Sequence, residues 1–213
     1  MQIQERDLKI LKEVGRWRVT LARHIKALVN FDGDRCCYRR LKILVDNGYL
    51  KREKILYGEP YIYSLTHKSR KLLNQNKRKN KIRLDSYRHD VAVLDTVLNL
   101  IEKYNCSIDN FISEQEMHRF DGFGNRRHYP DFVLVDSGGK KIAGEIELSL
   151  KAFNRLEQNI KDNYLTYDGQ LWFTLKSESK IIKNITKLQE RYDGIQLNFL
   201  DNLNEIDEQQ VNS

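Results

Sequence analysis

The feature that most constrains this chain of 213 residues is a run at positions 74–81 that contains no apolar residue. Such a run cannot enter a hydrophobic core, so it is expected to be a linker or the frayed end of a preceding helix. The chain is long for one small domain and sufficient for two. We therefore predict two domains, at residues 1–75 and 85–202, joined by a basic linker at 76–84. A polar, acidic segment at 203–213 is expected to be a disordered tail.

The two halves of the chain differ in charge. Residues 1–80 carry 20 Lys and Arg against 8 Asp and Glu, a net charge of +12, whereas residues 81–213 carry 17 against 22, a net charge of −5. A basic half beside an acidic half is typical of polyanion binding next to a site built from carboxylates. The alternative is that surface charge only maintains solubility. The concentration of positive charge in one segment favours polyanion binding.

The sequence lacks the signatures of several other classes of protein. No stretch approaches the roughly 18 consecutive apolar residues of a membrane span, and the N-terminus has no apolar run typical of a secretory signal. Three cysteines cannot close a disulfide framework. The chain also has no phosphate-binding G-x-x-x-x-G-K-[ST] loop and no G-x-S-x-G nucleophile motif. We therefore expect a cytoplasmic protein with no membrane partner.

The first half of the chain shows three helical patterns followed by two β-prone runs. Apolar residues at helical spacing predict a first helix ended by Gly15 and a second helix capped by Thr20. A third helix is predicted to be capped by Asp34 and to end at Asn47-Gly48. Two β-prone runs on either side of residues 57–60 predict a hairpin. Three helices followed by a hairpin is the element order of a winged helix-turn-helix domain.

Basic residues occur on both the third helix and the hairpin. In a winged helix, the third helix lies in the major groove of DNA and the hairpin, or wing, reaches the flanking backbone. Double-stranded DNA is therefore the expected partner, and protein binding by the same module is the alternative. The candidate DNA-binding residues are Arg35, Arg39 and Lys42 on the helix, and Lys51, Arg52 and Lys54 on the wing.

The second half of the chain combines helical and β-prone segments. Its helix, three strands, helix and strand form the αβββαβ order of a mixed sheet covered by helices, so the fold class is α+β. The predicted elements are a helix at 86–104, strands at 107–117, 132–136 and 140–148, a helix at 151–167, a strand at 171–175, a helix at 178–192 and a strand at 195–200.

Three carboxylates are predicted to meet at one end of a hairpin. Ser137-Gly138-Gly139 predicts a tight turn, and a hairpin symmetric about Gly138 places Asp131 directly opposite Glu145. Glu147 follows on the same face, two residues on. Like charges in this arrangement are destabilising unless a positive charge neutralises them. Mg²⁺ or Mn²⁺ is the natural candidate, because both prefer carboxylate oxygens.

These residues resemble a known nuclease motif. Pro130-Asp131, thirteen further residues and then Glu145-Ile146-Glu147 are similar to the PD-(D/E)xK motif, in which the last position is usually Lys. Lys151, four residues after Glu147, is the candidate for the missing positive charge. Two further segments, Tyr63-Ser64-Leu65-Thr66 and Arg88-His89-Asp90, add to this motif and to the winged-helix order. Together, these features make residues 5–200 resemble the replication-relaxation family, which includes the mobilisation relaxases of the MOBC type.

The resemblance implies a PD-(D/E)xK restriction-endonuclease-like domain that nicks DNA in plasmid mobilisation, conjugation or replication. Asp131 and Glu145 would then bind the metal ion, and Glu147 would accept a proton from water. Lys151 would stabilise the phosphate in the transition state. Two further candidates are Glu114, assigned to the preceding strand as a metal ligand, and His89, assigned to the first helix of this domain. A residue such as Glu114, beside Glu116, is more often a solvated strand residue, and His89 is equally compatible with a structural role.

Two classes of function remain open. The first is a metal-dependent DNA-nicking endonuclease that acts at a plasmid or mobile-element origin. The second is a winged-helix regulator of replication or transcription whose nuclease-like domain is inactive, because Glu147 occupies the usual Lys position. The turn-rich segment 121–128 is expected either to contact a phosphate or only to join two strands. A homodimer and other mobilisation or replication proteins are the further partners considered.

Overall fold

The computed structural model describes residues 2–75, 82, 84–121 and 128–200. The chain divides into two compact units, Met1–Leu98 and Asn99–Ser213, and its helices and two sheets confirm the predicted α+β class. Within the described ranges, no helix combines the length and apolar character needed to cross a membrane. The predicted tail at 203–213 lies outside the described residues, as does the predicted linker apart from residues 82 and 84.

The first unit contains three helices, a hairpin and then two further helices. The strands of the hairpin are antiparallel, with Leu50 opposite Leu65 and Glu53 opposite Ile62, and a single bridge between Leu21 and Ile62 adds a third short segment. The elements are α1 (Glu5–Arg16), α2 (Ala22–Val29), α3 (Asp34–Asp46), β1 (Leu50–Glu53), β2 (Ile62–Leu65), α4 (His67–Leu72) and the first part of α5 (Leu84–Tyr104).

The helix ends of this unit differ from the sequence prediction in three places. Gly15 does not end α1, which runs to Arg16; a Cβ at Gly15 would lie 2.7 Å from the Leu65 side chain, so the glycine permits close packing of α1 against β2. Thr20 does not cap α2, which begins after Leu21. Asp34 is the first residue of α3 rather than its cap. The predicted end of α3 at Asn47-Gly48 is confirmed.

The start of α5 packs into the core of the first unit. Tyr87 is buried in a cluster with Val19, Leu21 and Ile62. Further along the helix, Asp95 accepts a hydrogen bond from the buried His24 ring over 2.9 Å. The first unit therefore extends further along the chain than the predicted linker, because the buried face of α5 completes its core.

The second unit is built on a five-stranded sheet in the order β3-β4-β5-β6-β7. Strands β3, β4 and β5 are antiparallel, whereas β5, β6 and β7 are parallel. The elements that follow α5 are β3 (Phe111–Ser113), α6 (Glu114–Phe120), β4 (Phe132–Val135), β5 (Lys141–Ile146), α7 (Phe153–Tyr164), β6 (Gly169–Thr174), α8 (Ser179–Gln189) and β7 (Ile195–Phe199).

The helix α6 replaces the second half of a predicted strand. The strand expected at 107–117 is confined to β3, and the chain turns into α6 at Glu114. Ser113 caps this helix: its hydroxyl accepts a hydrogen bond from the Glu116 amide, and the Glu116 carboxylate accepts one from the Ser113 amide. This Ser-x-x-Glu capping box stops the strand. The assignment of Glu114 to a strand was therefore wrong.

The hairpin of β4 and β5 depends on a contact between an aromatic ring and a glycine. Phe132 lies directly opposite Gly144 and is fully buried, with its ring 5.8 Å from that of Phe111 and 6.5 Å from that of Phe173. A Cβ at Gly144 would lie 2.1 Å from the Phe132 ring. Position 144 therefore admits only glycine while the ring keeps its place.

Substitution of this glycine should destabilise the second unit. Gly144→Ala forces the Phe132 ring or the strand to move, and overpacking of this kind costs about 1–3 kcal/mol or more. Gly169→Ala is the matched control, because a Cβ at this strand glycine would meet its nearest neighbour at an ordinary 3.6 Å. The free energy of unfolding in urea should fall for Gly144→Ala and change little for Gly169→Ala. Equal stabilities of the two variants would contradict the proposed role of the contact.

Candidate functional site

The predicted register of the hairpin is confirmed. The observed pairs Phe132 with Gly144 and Val133 with Ala143 follow the symmetry about Gly138, and continuing it places Asp131 opposite Glu145. Asp131 immediately precedes β4, and its Oδ2 accepts a hydrogen bond from the Ile146 amide over 2.8 Å. This bond ties the start of β4 to the end of β5. The two carboxylates therefore lie at the same end of the hairpin.

Glu145 is a buried carboxylate with two polar partners. Its side chain is on β5, and Oε1 lies 2.6 Å from His128 Nε2 and accepts a 2.9 Å hydrogen bond from Asn163 of α7. Burial raises the pKa of Glu145, the His128 contact opposes this rise, and the charge of Asp131 adds to it. The net effect is a carboxyl group that binds its proton more tightly than an exposed glutamate.

Glu147 forms a second buried pair at the end of β5. Its Oε2 lies 2.6 Å from Lys151 Nζ, and the carboxylate is almost completely buried whereas the ammonium is partly exposed. Burial raises the pKa of Glu147, Lys151 lowers it, and the charges of Glu145 and Asp131 raise it again, with a net increase. The structure thus brings Lys151 to the residue at the usual Lys position of the motif.

His128 is a site residue that the sequence reasoning missed. Burial lowers the pKa of its ring, but the hydrogen bond to Glu145 and the charges of Asp131 and Asp162 outweigh burial, so the pKa is raised. The sequence signal that could have revealed the buried polar site around Glu145, although not His128 itself, is the pair Asn159 and Asn163. Both are buried polar residues one turn apart on α7, which places amide groups on its core-facing side.

Two predicted candidates, Glu114 and His89, have side-chain neighbours outside the β4–β5 hairpin. Glu114 begins α6; its amide donates to the Asp131 carbonyl over 3.2 Å, but its carboxylate lies 3.4 Å from His118 Nε2. His89 belongs to the part of α5 in the first unit, and its ring lies 3.5 Å from the Asp90 carboxylate. Across the described ranges, no group of three or more His, Cys, Asp or Glu residues is arranged to hold a metal ion.

The predicted DNA-binding residues are all exposed in the first unit. On α3, the apolar side that includes Leu41 and Leu44 is buried and the basic side faces solvent. Some of the cations have acidic or aromatic neighbours: Lys42 pairs with Asp46 over 2.7 Å, and Lys51 pairs with Glu53. The exposed basic residues are Arg35, Arg39 and Lys42 on α3, Lys51 and Arg52 on β1, and Lys54 just after it.

The segment before the site is only partly described. Residues 122–127 lie outside the described residues, so the predicted phosphate contact of this loop stays a prediction. At its two ends, Asp121 accepts a 2.8 Å hydrogen bond from the Tyr129 hydroxyl, and His128 reaches Glu145. Among the described residues of this segment, His128 therefore contacts one of the site carboxylates, Glu145.

The raised pKa of Glu147 predicts a pH-dependent effect on stability. A group with a raised pKa in the folded state contributes stability below its ordinary value of 4.5, and this contribution is lost as the pH rises through the raised pKa. Glu147→Gln removes that loss. In EDTA, its melting temperature relative to the natural chain should therefore increase as the pH rises above 4.5, the ordinary pKa of a glutamate.

The control for this measurement is Glu102→Gln, which removes an exposed carboxylate from the same unit. It should show no such trend across the pH range. A Glu147→Gln variant that becomes progressively less stable than the natural chain as the pH rises would contradict the direction of the shift.

Comparison with known proteins identifies one family. A family model described as Replication-relaxation matches residues 11–167, a range that includes α3, the hairpin of the first unit and the cluster from His128 to Lys151. No curated protein and no solved structure matches the chain. Because the family match covers more than half of the sequence, the chain belongs to the replication-relaxation family, which indicates a role in the replication or relaxation of plasmid DNA and an interaction with DNA.

Proposed function

We propose that this chain is a DNA-binding, metal-dependent endonuclease that nicks DNA at a plasmid or mobile-element origin, as a relaxase of the MOBC type. The observation that carries the proposal is that Asp131 and Glu145 lie at the same end of the hairpin, where the charge of Asp131 raises the pKa of Glu145, beside the Glu147–Lys151 pair. Buried like charges are retained at a cost to stability, and such groups concentrate at functional sites. Family membership indicates an interaction with DNA, which supports DNA as the substrate class.

The first unit supports the DNA-binding part of the proposal as a winged helix. Three helices precede an antiparallel hairpin, and the bridge between Leu21 and Ile62 adds the short third segment that such a sheet uses. The exposed basic side of α3 is then the surface that enters the major groove, with Arg35 and Arg39 facing the DNA. Lys51 and Arg52 on the wing would contact the flanking phosphates.

The donor set at the hairpin fits a hard cation held by few protein ligands. Asp131 and Glu145 offer carboxylate oxygens, and Mg²⁺ commonly takes one or two carboxylates and completes its coordination with water and substrate phosphate. His128 and Asn163 hydrogen-bond to Glu145 and would fix its orientation. A bound Mg²⁺ or Mn²⁺ would supply charge neutralisation at the scissile phosphate. Glu114 is a weaker candidate because its carboxylate pairs with His118.

The chain's own residues account for the departure from the usual motif. Glu147 has a raised pKa, which favours a role as a proton acceptor near neutral pH. Lys151 places an ammonium group 2.6 Å from Glu147 Oε2, where a lysine at position 147 would otherwise supply the positive charge. We propose that Glu147 accepts the proton of the attacking water and that Lys151 stabilises charge on the phosphate.

A second candidate function is a winged-helix regulator of replication or transcription with an inactive nuclease-like domain. The observation that favours it is that the two buried glutamates already have partners within the chain. Glu145 is bound by His128 and Asn163, and Glu147 is bound by Lys151. Buried carboxylates that are paired within the chain in this way can be retained for structure alone.

The nicking of supercoiled plasmid DNA that carries the chain's own origin tests the proposal. The full chain should convert supercoiled to open circular DNA with Mg²⁺ or Mn²⁺ but not in EDTA. Asp131→Asn and Glu145→Gln should each lose about a hundredfold or more in rate, and Lys151→Ala about a hundredfold, because each removes charge stabilisation of the transition state. DNA affinity should be retained in all three variants.

The matched control is Glu102→Gln, which should nick at the rate of the natural chain because Glu102 is an exposed carboxylate on α5. Binding of origin DNA without nicking under either metal ion would leave only the regulator. Nicking that survives Asp131→Asn would place the chemistry elsewhere in the chain.

A further inference from the structure

The wing of the first unit carries two exposed aromatic rings that the proposed function does not use. Tyr57, in the turn between β1 and β2, is 101% exposed, and Tyr61, just before β2, is 43% exposed. Aromatic rings contribute most to the energy of packing or binding when they are covered. Two exposed rings close together on the wing therefore indicate a surface that a partner covers.

The turn holds Tyr57 outward by anchoring the residues before it. Ile55 and Leu56 are partly buried and pack against the core cluster that contains Ile62 and Tyr87. Gly58, immediately after Tyr57, has a φ of 87°, a left-handed conformation that reverses the chain at once. The backbone leading to Tyr57 is therefore anchored, which reduces the entropic cost of binding.

Cations are interleaved with the two rings. The Arg52 guanidinium lies 4.9 Å from the centre of the Tyr61 ring. Lys54 Nζ lies 5.5 Å from the centre of the Tyr57 ring and 5.7 Å from that of Tyr61. Positive charge beside exposed aromatic faces is the combination that binds single-stranded nucleic acid, in which cations neutralise phosphates and rings stack on bases.

A surface of aromatic rings and cations can distinguish unpaired from paired nucleotides. In a duplex the base faces are already stacked on each other, so a tyrosine on the wing finds only sugar and phosphate. In a melted segment a base is free to stack on Tyr57, and base–aromatic stacking tolerates any sequence because every base has a flat face. Arg52 and Lys54 would contact phosphates in either case.

We propose that the wing tip, defined as Arg52, Lys54, Tyr57 and Tyr61, binds unpaired nucleotides, so that the chain prefers DNA with a melted segment beside a duplex. This inference rests on the proposed DNA-binding role of the first unit, because it names the form of DNA that the same surface takes. The basic side of α3 would hold the duplex, and the wing tip would hold the unpaired strand next to it.

The test is fluorescence anisotropy of the full chain in EDTA with a duplex, the same duplex containing a central unpaired bubble, and the single strand. The bubble should bind about tenfold more tightly than the duplex, and Tyr57→Ala should remove most of this preference while leaving duplex affinity within about twofold. Tyr57→Phe should retain the preference, because the ring still stacks. A 2-aminopurine in the bubble should be quenched by the natural chain and not by Tyr57→Ala.

The matched control is Tyr104→Ala. Tyr104 is 47% exposed and has Lys103 Nζ 5.4 Å from its ring centre, but it lies on α5 away from the wing in sequence and unit. It should bind all three DNAs as the natural chain does.

Equal binding of bubble and duplex by the natural chain would overturn the inference and leave the proposed function intact. A preference for the bubble that persists in Tyr57→Ala and in Tyr61→Ala would overturn it as well. Binding to none of the three DNAs would overturn the proposed function itself, and this inference with it.

Discussion

The packing of the Phe132 ring against Gly144 is the constraint on which the candidate site depends. The two residues face each other across β4 and β5, and the ring occupies the space that any other side chain at position 144 would need. A slip of one residue would place a Cβ under the ring and move every side chain to the opposite face. The apposition of Asp131 and Glu145 is therefore a consequence of how the adjacent pair packs.

This geometry concentrates negative charge where the surrounding sheet is apolar. Glu145 and Glu147 are each almost fully buried, and burial is the largest cause of their raised pKa values. The charge of Asp131 raises both pKa values further, and that of Glu145 adds to the rise at Glu147. His128, Asn163 and Lys151 offset part of the cost through hydrogen bonds and opposite charge. The parallel pairing of β5 with β6 makes α7 the crossover helix, and this position brings Asn163 to the cluster.

Local signals in the sequence were sufficient to predict the hairpin and its carboxylates. A glycine-containing turn and two apolar runs of similar length specify the register, and register decides which residues face each other. The three helices and the hairpin of the first unit were predictable for a similar reason, because their apolar spacing is local. The family resemblance was stated on these segments and on Arg88-His89-Asp90.

Contacts between distant residues were not predictable in the same way. His128 reaches Glu145 across 17 positions, and nothing in the spacing of the five histidines singles it out. The α6 helix was missed because the β-prone Phe111-Ile112 hides the capping box that follows at Ser113. Gly15 was interpreted as a helix end, although its role is close packing against Leu65.

The binding of Mn²⁺ in the presence of duplex DNA, followed by electron paramagnetic resonance, tests the central proposal of a cation site most directly. A site built on Asp131 and Glu145 predicts about one bound ion per chain, with affinity at least about tenfold weaker in Asp131→Asn, because a carboxylate ligand is lost. The same number of ions bound with the same affinity by the natural chain and by Asp131→Asn would contradict it.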